Sequence, residues 1–354
     1  MAHGRSTRAT IPHNPRSMGY VDLSQDPSAL QRIFVALGLA AEGEQVHAEA
    51  LTGGVSSGIY RVALRSGTYC LKQALPKLKV AKEWNVPVER VFSEIGWLKA
   101  VDAIVPGHVP RVIGQDDAAK CFVMEFLGPE FHNWKADLLA GSVNPETARQ
   151  VGDVLGLIHA ATADDEALAA RFATDDNFHA IRLEPYLVET ARVHPALAPQ
   201  LLATVERTAS TKRVLVHGDV SPKNILVGPQ GPVLLDAECA WFGDPAFDLA
   251  FCLNHFLLKA AHMPAHAPAL MASFRALREA YRPRVRWESF ADLEHRVAHL
   301  LPGLNLARVD GKSPAEYLRE PTREAVRRVA MALVAQPPAS LEDIAVHWAE
   351  EFKE

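Results

Sequence analysis

One stretch constrains this chain more than any other: VLVHGDVSPKNILVGPQGPVLLDAECAWFGDPAFDLAF, residues 214–251. Apolar runs alternate in it with polar residues that fall at their ends. Asp219 lies past Val214-Leu215-Val216, in a segment with Gly218 and Pro222, and so belongs to a loop. Asn224 leads into a new apolar run. Asp236 directly follows Pro232-Val233-Leu234-Leu235, after a turn at Gly228-Pro229-Gln230-Gly231 that folds the chain back. If the two runs pair as a hairpin, Asn224 and Asp236 emerge at one end of it. An amide oxygen and a carboxylate brought together there suit a hard cation such as Mg²⁺. Asp219, on the neighbouring loop, can accept a proton from a hydroxyl. Those are the parts needed for phosphoryl transfer from a metal–nucleotide.

The rest of the composition fits a soluble enzyme. The 354 residues suffice for two lobes, each with a core. Hydrophobic residues make up 48%, with charges of both signs between them, which excludes disorder. A net charge of −5 argues against a nucleic-acid partner. No apolar run approaches the roughly 20 residues of a membrane span, so no membrane partner is expected. Residues 1–27 carry basic groups without an apolar core and read as an N-terminal tail, not a signal peptide. Cys70, Cys121, Cys239 and Cys252 form no C-x-x-C pair and sit among apolar neighbours. They read as buried free thiols of a cytoplasmic protein.

Strand-like runs fill the first third. GIYRVAL and TYCLKQA flank a turn at Arg65-Ser66-Gly67, and VPRVIGQ and KCFVMEFL form a second pair. A helix spans about Ser28–Gly38, and another follows Pro87 through VERVFSEIGWLKAV. From Gly128 on, helical spacing dominates, beginning with a helix capped by Asn144 ahead of Pro145. Further helical patterns start at Phe247 and run over Met271–Tyr281, Phe290–Leu300 and Thr322–Val334. The expected division is a tail (1–27), a sheet lobe (28–127) and a mostly helical lobe (128–354).

HGDVSPKN, then LLDAE, then GDPAFDLA resemble the aminoglycoside phosphotransferase and choline kinase superfamily, small-molecule kinases with a bilobal protein-kinase-like α+β fold. The resemblance implies ATP and Mg²⁺ as cofactors. It makes Asp219 the base and Asn224 and Asp236 the metal ligands. Glu238 stands where some members carry a second acidic residue. Asp248 braces the loop, and His217 packs beneath it. It further implies that Gly53, Gly54, Ser56, Ser57 and Gly58, before the first strand pair, cradle phosphates. Lys72 would reach the α- and β-phosphates, with Glu94 as its partner and Glu89 as second choice. Met124, Glu125 and Leu127 would form the hinge for adenine. Asp236-Ala237-Glu238 replaces D-F-G, and no A-P-E signature follows, which favours a small-molecule hydroxyl acceptor over a protein.

Other residues read more plainly. His159 is a core histidine on an apolar helix face. His262 and His266 have a metal-like spacing, but Pro264 between them breaks the helix. Trp134 and Lys135 anchor the first helix after the hinge or edge the cleft. Arg308, Asp310 and Lys312 lie in a polar, glycine-containing segment, ARVDGKSPAEYL, and are candidates for acceptor contact. Basic residues outnumber acidic ones from Arg275 to Arg328, which leans toward a neutral or anionic metabolite over a polycationic antibiotic. A nucleotide-binding pseudokinase is the alternative. The intact Lys72, Asp219, Asn224 and Asp236 speak against it.

Overall fold

The computed structural model describes residues 22–51, 57–76 and 87–352. The first lobe is a five-stranded antiparallel sheet of β1 (Ala48–Ala50), β2 (Ser57–Leu64), β3 (Gly67–Ala74), β4 (Val112–Asp116) and β5 (Cys121–Glu125), in the order β1-β2-β3-β5-β4. Period-two alternation gives the sheet two working faces. Val62, Leu71 and Val123 pack against Leu30 and Phe34 of α1 (Pro27–Ala36). Phe122 and Ala74, on the opposite face, pack toward Trp97 and Leu98 of α2 (Arg90–Ile104). Lys72 sits one residue from Leu71 and so faces α2.

Of the segment expected as a tail, residues 22–27 are described, and Leu23 docks on this sheet. Leu23 is buried and its N–H donates to the Gln73 side chain at 3.1 Å, while Asp26 caps α1 ahead of Pro27. A lone leucine within a polar run gives no periodicity, so the docking was not legible.

The second lobe begins with β6 (His132–Asn133), α3 (Trp134–Leu139) and α4 (Pro145–Thr162). Asn144 caps α4 through its side chain, as the Asn-Pro pair predicts. After α5 (Glu166–Arg171) one continuous helical stretch follows. It runs from α6 (Asp175–Phe178) through a π-helical segment, His179–Val188, into α7 (Glu189–Val193), with α8 (Ala198–Ser210) beyond. Short strands then appear: β7 (Val214–Val216), the hairpin β8 (Ile225–Gly228) and β9 (Gly231–Leu234), and β10 (Trp241–Gly243). β10 pairs with β7, and β6 with β8.

The remaining helices are α9 (Pro245–His262), α10 (Ala267–Tyr281), α11 (Phe290–Asp310), α12 (Thr322–Ala335) and α13 (Leu341–Glu351). α9 is buried along nearly its whole length. α11 passes through Pro302 without ending, so Arg308 and Asp310 lie on its last turn and not in a loop. Among the described residues no helix is long and apolar enough to cross a membrane.

A candidate active site between the lobes

The hairpin is as the sequence predicts. Ile225 pairs with Leu234, and the Leu235 N–H donates to the Asn224 carbonyl at 2.8 Å. Asn224 and Asp236 therefore stand together at its open end. Asp236 has φ +67°, a left-handed backbone that short polar side chains tolerate best. The Asn224 side-chain NH₂ donates to the Asp219 carbonyl at 3.1 Å, which leaves its oxygen free for another partner.

Asp248 holds the loop in place. One carboxylate oxygen accepts from the His217 N–H and the other from the Gly218 N–H, both at 2.8 Å, and the group is fully buried. Gly218 has φ +79°, and a Cβ there would meet the Cys239 carbonyl oxygen at 2.6 Å, so the turn requires glycine. His217 takes the Asp219 N–H on Nδ1 at 3.1 Å and faces the Leu235 carbonyl with Nε2 at 3.0 Å. Burial lowers its pKa, against the pull of Asp248, and keeps the ring neutral. The rest of the GDPAFD run is equally local in cause. Asp244 caps α9 by accepting from the Ala246 N–H, Pro245 fills the first turn, and Asp248 follows one turn later.

The first lobe contributes a cation. Lys72 Nζ donates to Glu94 at 2.7 Å and also to Asp236, and the lysine and Glu94 are buried. Glu89, the second choice, is instead 3.7 Å from Lys120. Burial would lower the Lys72 pKa, but Asp236 and Glu94 outweigh it and raise it. Burial would raise Asp236, but Lys72, followed by Lys223, holds its carboxyl well below the usual range. Glu94 is pushed up to about 7, chiefly by burial. Glu238 does not join Asn224 and Asp236; it pairs with Arg90 of α2 at 2.8 Å, a second ion pair across the lobes.

Sequence reasoning missed two cations on Asp219. Arg182, from the π-helical segment, donates to its carboxylate at 2.7 Å and also bonds the Gly218 carbonyl. Lys223 reaches the same carboxylate at 3.3 Å. Burial would raise the Asp219 pKa, but Arg182 and then Lys223 overcome it and hold the group ionised, below its ordinary value. Lys223 was within sight, one residue before Asn224. Arg182 carried no signal beyond being an arginine in a helical run; only the fold brings it to the loop.

Other predicted residues fall as follows. Gly53, Gly54 and Ser56 lie outside the described residues, while Ser57 and Gly58 open β2. Met124 and Glu125 end β5, and Leu127 lies in the connection beyond it. Asp310 is taken up by Arg327 and His194, each at 2.8 Å, and Lys312 by Glu184 at 2.7 Å. Both bind neighbouring helices and not the cleft. His159 is a satisfied core histidine between Tyr281 and Asp248, and α9 ends at His262 before Pro264. Trp134 is buried against Phe256. All four cysteines are free and buried. Among the described residues no three His, Cys, Asp or Glu side chains gather as a metal nest.

The chain is 26% identical over 241 residues to methylthioribose kinase 1 of Oryza sativa subsp. japonica, covering 59% of this chain and 55% of that one. It is 26% identical over 265 residues to the methylthioribose kinase of Yersinia pseudotuberculosis serotype O:3 (strain YPIII), covering 67% and 62%. It thus spans little more than half the length of these curated relatives. Among solved structures, Plasmodium vivax ethanolamine kinase has a TM-score of 0.54 at 12% identity, covering 87% of this chain and 91% of that one. The amicoumacin kinase hAmiN, in complex with AMP-PNP, Ca²⁺ and Ami, has a TM-score of 0.53 at 14% identity, covering 90% and 96%. These two share the bilobal kinase-like fold. Residues 47–287, well over half of the chain, match the phosphotransferase enzyme family, and to that family the chain belongs.

Proposed function

We propose that the protein moves the γ-phosphoryl group of ATP to a hydroxyl of a small molecule. The observation that carries this reading is the meeting of Asp219, Asn224 and Asp236 with Lys72 from the other lobe, through the Lys72–Asp236 ion pair. Asn224 and the ionised Asp236 offer hard oxygen donors, which fit a divalent cation, and we assign them to Mg²⁺. When bound, the cation neutralises charge on the phosphates. Lys72, aimed by Glu94, holds the α- and β-phosphates, and the Met124–Leu127 backbone meets adenine.

Asp219 orients the acceptor hydroxyl and takes its proton as the new O–P bond forms and the bond to the β-phosphate oxygen breaks. A carboxylate held below its ordinary pKa is a weak base. Its main contribution is positioning, which suits a reaction with a loose transition state. Methylthioribose kinases among the relatives support a metabolite acceptor. The buried thiols suit the cytoplasm, where we place the protein.

The test is ATP consumption with Mg²⁺ over a panel of sugars, nucleosides, hydroxyacids and aminoglycosides. Turnover of a metabolite, lost in Asp219→Asn, is the expected result. Turnover of kanamycin-type compounds alone would overturn the acceptor class. Nucleotide binding without any turnover would favour the pseudokinase.

A further inference from the structure

α9 carries more than the brace on the catalytic loop. Along its length Asp248, Phe251, His255 and Lys259 recur at helical spacing, so they lie along one face. Asp248 holds the loop. Phe251 lies under the Arg182 guanidinium, 5.6 Å from ring centre to carbon, and Arg182 holds Asp219. His255 packs on Phe251 at 5.9 Å. Lys259 comes eight residues after Phe251, roughly 12 Å farther along the axis.

Lys259 is completely buried, yet its Nζ has no hydrogen-bond partner among the described residues. It lies 5.1 Å from the Tyr317 ring centre. The Tyr317 hydroxyl and the Arg308 Nε are likewise buried without partners among those residues. Arg308 is anchored elsewhere, by Nη1 on the Ser313 carbonyl and hydroxyl, which fixes it with Nε idle. A buried ammonium, guanidinium N–H and phenol, all unused, cost free energy that a bound anion would recover.

The surrounding charges do not cancel this cation. Lys135 of α3 is already paired with Glu316. Lys259, Arg308, Lys223 and Lys135 all act on His255, which burial and these cations hold neutral. Lys223 also reaches Asp219, so one imidazole feels the charge of both the idle lysine and a cation at the loop. The charged and titratable groups that act most on Lys259 are Lys135 of α3, Arg308 of α11, Cys252 on its own helix and Glu316 after α11, with the Tyr317 ring against it; Lys259 in turn acts on His255 and His262 of α9.

From this arrangement we infer that the acceptor carries an anionic group, carboxylate or phosphate, which Lys259, Arg308 and Tyr317 bind while its hydroxyl lies at Asp219. The inference rests on the phosphotransferase reading and names its substrate class. It also revises the role of the 307–318 segment: Arg308 serves the acceptor, while Asp310 and Lys312 fasten the segment that carries Tyr317.

Inorganic phosphate, sulfate and malonate are titrated into the full chain by calorimetry at pH 7, with chloride holding ionic strength constant. Two buffers of different ionisation enthalpy report proton uptake. Saturable binding with net proton uptake is expected, because an anion beside Lys259 favours its charged form. Affinity falls roughly tenfold or more in Lys259→Met and in Arg308→Gln, and uptake disappears in the former. Arg275→Gln, at an exposed ion pair on α10, binds like the wild type. Tighter binding of the tetrahedral ions assigns a phosphate, and tighter malonate a carboxylate.

Absence of saturable binding overturns the inference, as does binding that is kept in both Lys259→Met and Arg308→Gln. The phosphotransferase reading fails separately, if anions bind as described but no hydroxylated anion supports ATP turnover. Should only cationic or neutral acceptors turn over, that reading stands and the anion site falls.

Discussion

At the scale of single residues, the grip of Arg182 on Asp219 sets a pH dependence. In the proposed mechanism Asp219 acts ionised, and Arg182 is the largest influence holding its pKa down against burial. Removing the guanidinium leaves burial opposed mainly by Lys223 and, less, by His217. In Arg182→Gln the carboxyl titrates higher, so activity is lost at a higher pH on acidification. A kcat/KM profile should show the acid limb moved upward, with the plateau also reduced. An unmoved limb would mean that Arg182 serves only to pack the loop. Asp219→Asn keeps an acceptor for Arg182 and should lower kcat by about 10²–10⁴, with little change in Tm. Asp219, Asn224, Asp236 and Asp248 were legible because a single 38-residue stretch carries them at fixed spacing. The pairing of Lys72 with Glu94 is implied by the family resemblance, which sets a lysine strand ahead of a helix glutamate. Arg182 was not legible, since the fold alone brings it to Asp219. Nor were the partners of Asp310 and Lys312, because a polar segment does not tell which side its charges face.

At the scale of elements, the close crossing of α4 and α10 depends on one missing side chain. A Cβ on Gly152 would stand 2.3 Å from the Leu277 carbonyl oxygen, a backbone atom that cannot yield. Gly152→Ala gains about 1 kcal/mol of helix propensity. It should still lose about 1–3 kcal/mol net, because overpacking forces the helices apart; denaturant melts would show it, and a stabilised variant would refute the close contact. Buried Lys259 adds a second element-scale effect. Burial, aided by Lys135 and Arg308, pushes it down to about 7 from an ordinary 10.5. Keeping it in the fold costs nothing above pH about 10.5, progressively more as pH falls toward 7, and a constant amount below. Lys259→Met should therefore be more stable than the wild type at pH 6, by on the order of a few kcal/mol, and the gap should close toward pH 10. Most helices and the sheet pairs were readable from periodicity and caps. The helical pattern in the sequence covers Phe290–Leu300, short of the end of α11 at Asp310. In fact Leu187 approaches Gly303, to 2.9 Å from where a Cβ would stand, and packing on many sides carries the helix through. The π-helical segment has no sequence signature of its own, because its widened turn is set by what it packs on.

At the scale of the whole molecule, two ion pairs join the lobes across the cleft, Lys72–Asp236 and Arg90–Glu238. The first is buried enough to govern stability. Asp236 is held well below its ordinary pKa, so its contribution is present above about pH 4 and is lost as pH falls below that. Glu94, pushed up to about 7, runs the other way: its contribution is full below 4.5 and declines as pH rises to 7. The wild-type curve is the difference of the two. The comparison with Lys72→Met separates them. Without the ammonium, Glu94 is left buried and uncompensated and Asp236 keeps Lys223 as its main partner, so both carboxyls titrate higher than in the wild type. At pH 7 the variant should be less stable by about 3–5 kcal/mol, the usual cost of breaking a buried pair. As pH falls toward 4, protonation relieves the variant while the wild type keeps its pair, so the gap narrows, and below that the wild type loses Asp236 as well. Melts of both proteins at pH 7, 5.5 and 4 would show a difference that shrinks in that order. A difference constant with pH would mean that the lobes are joined by packing alone and that Lys72 is not the electrostatic link between them.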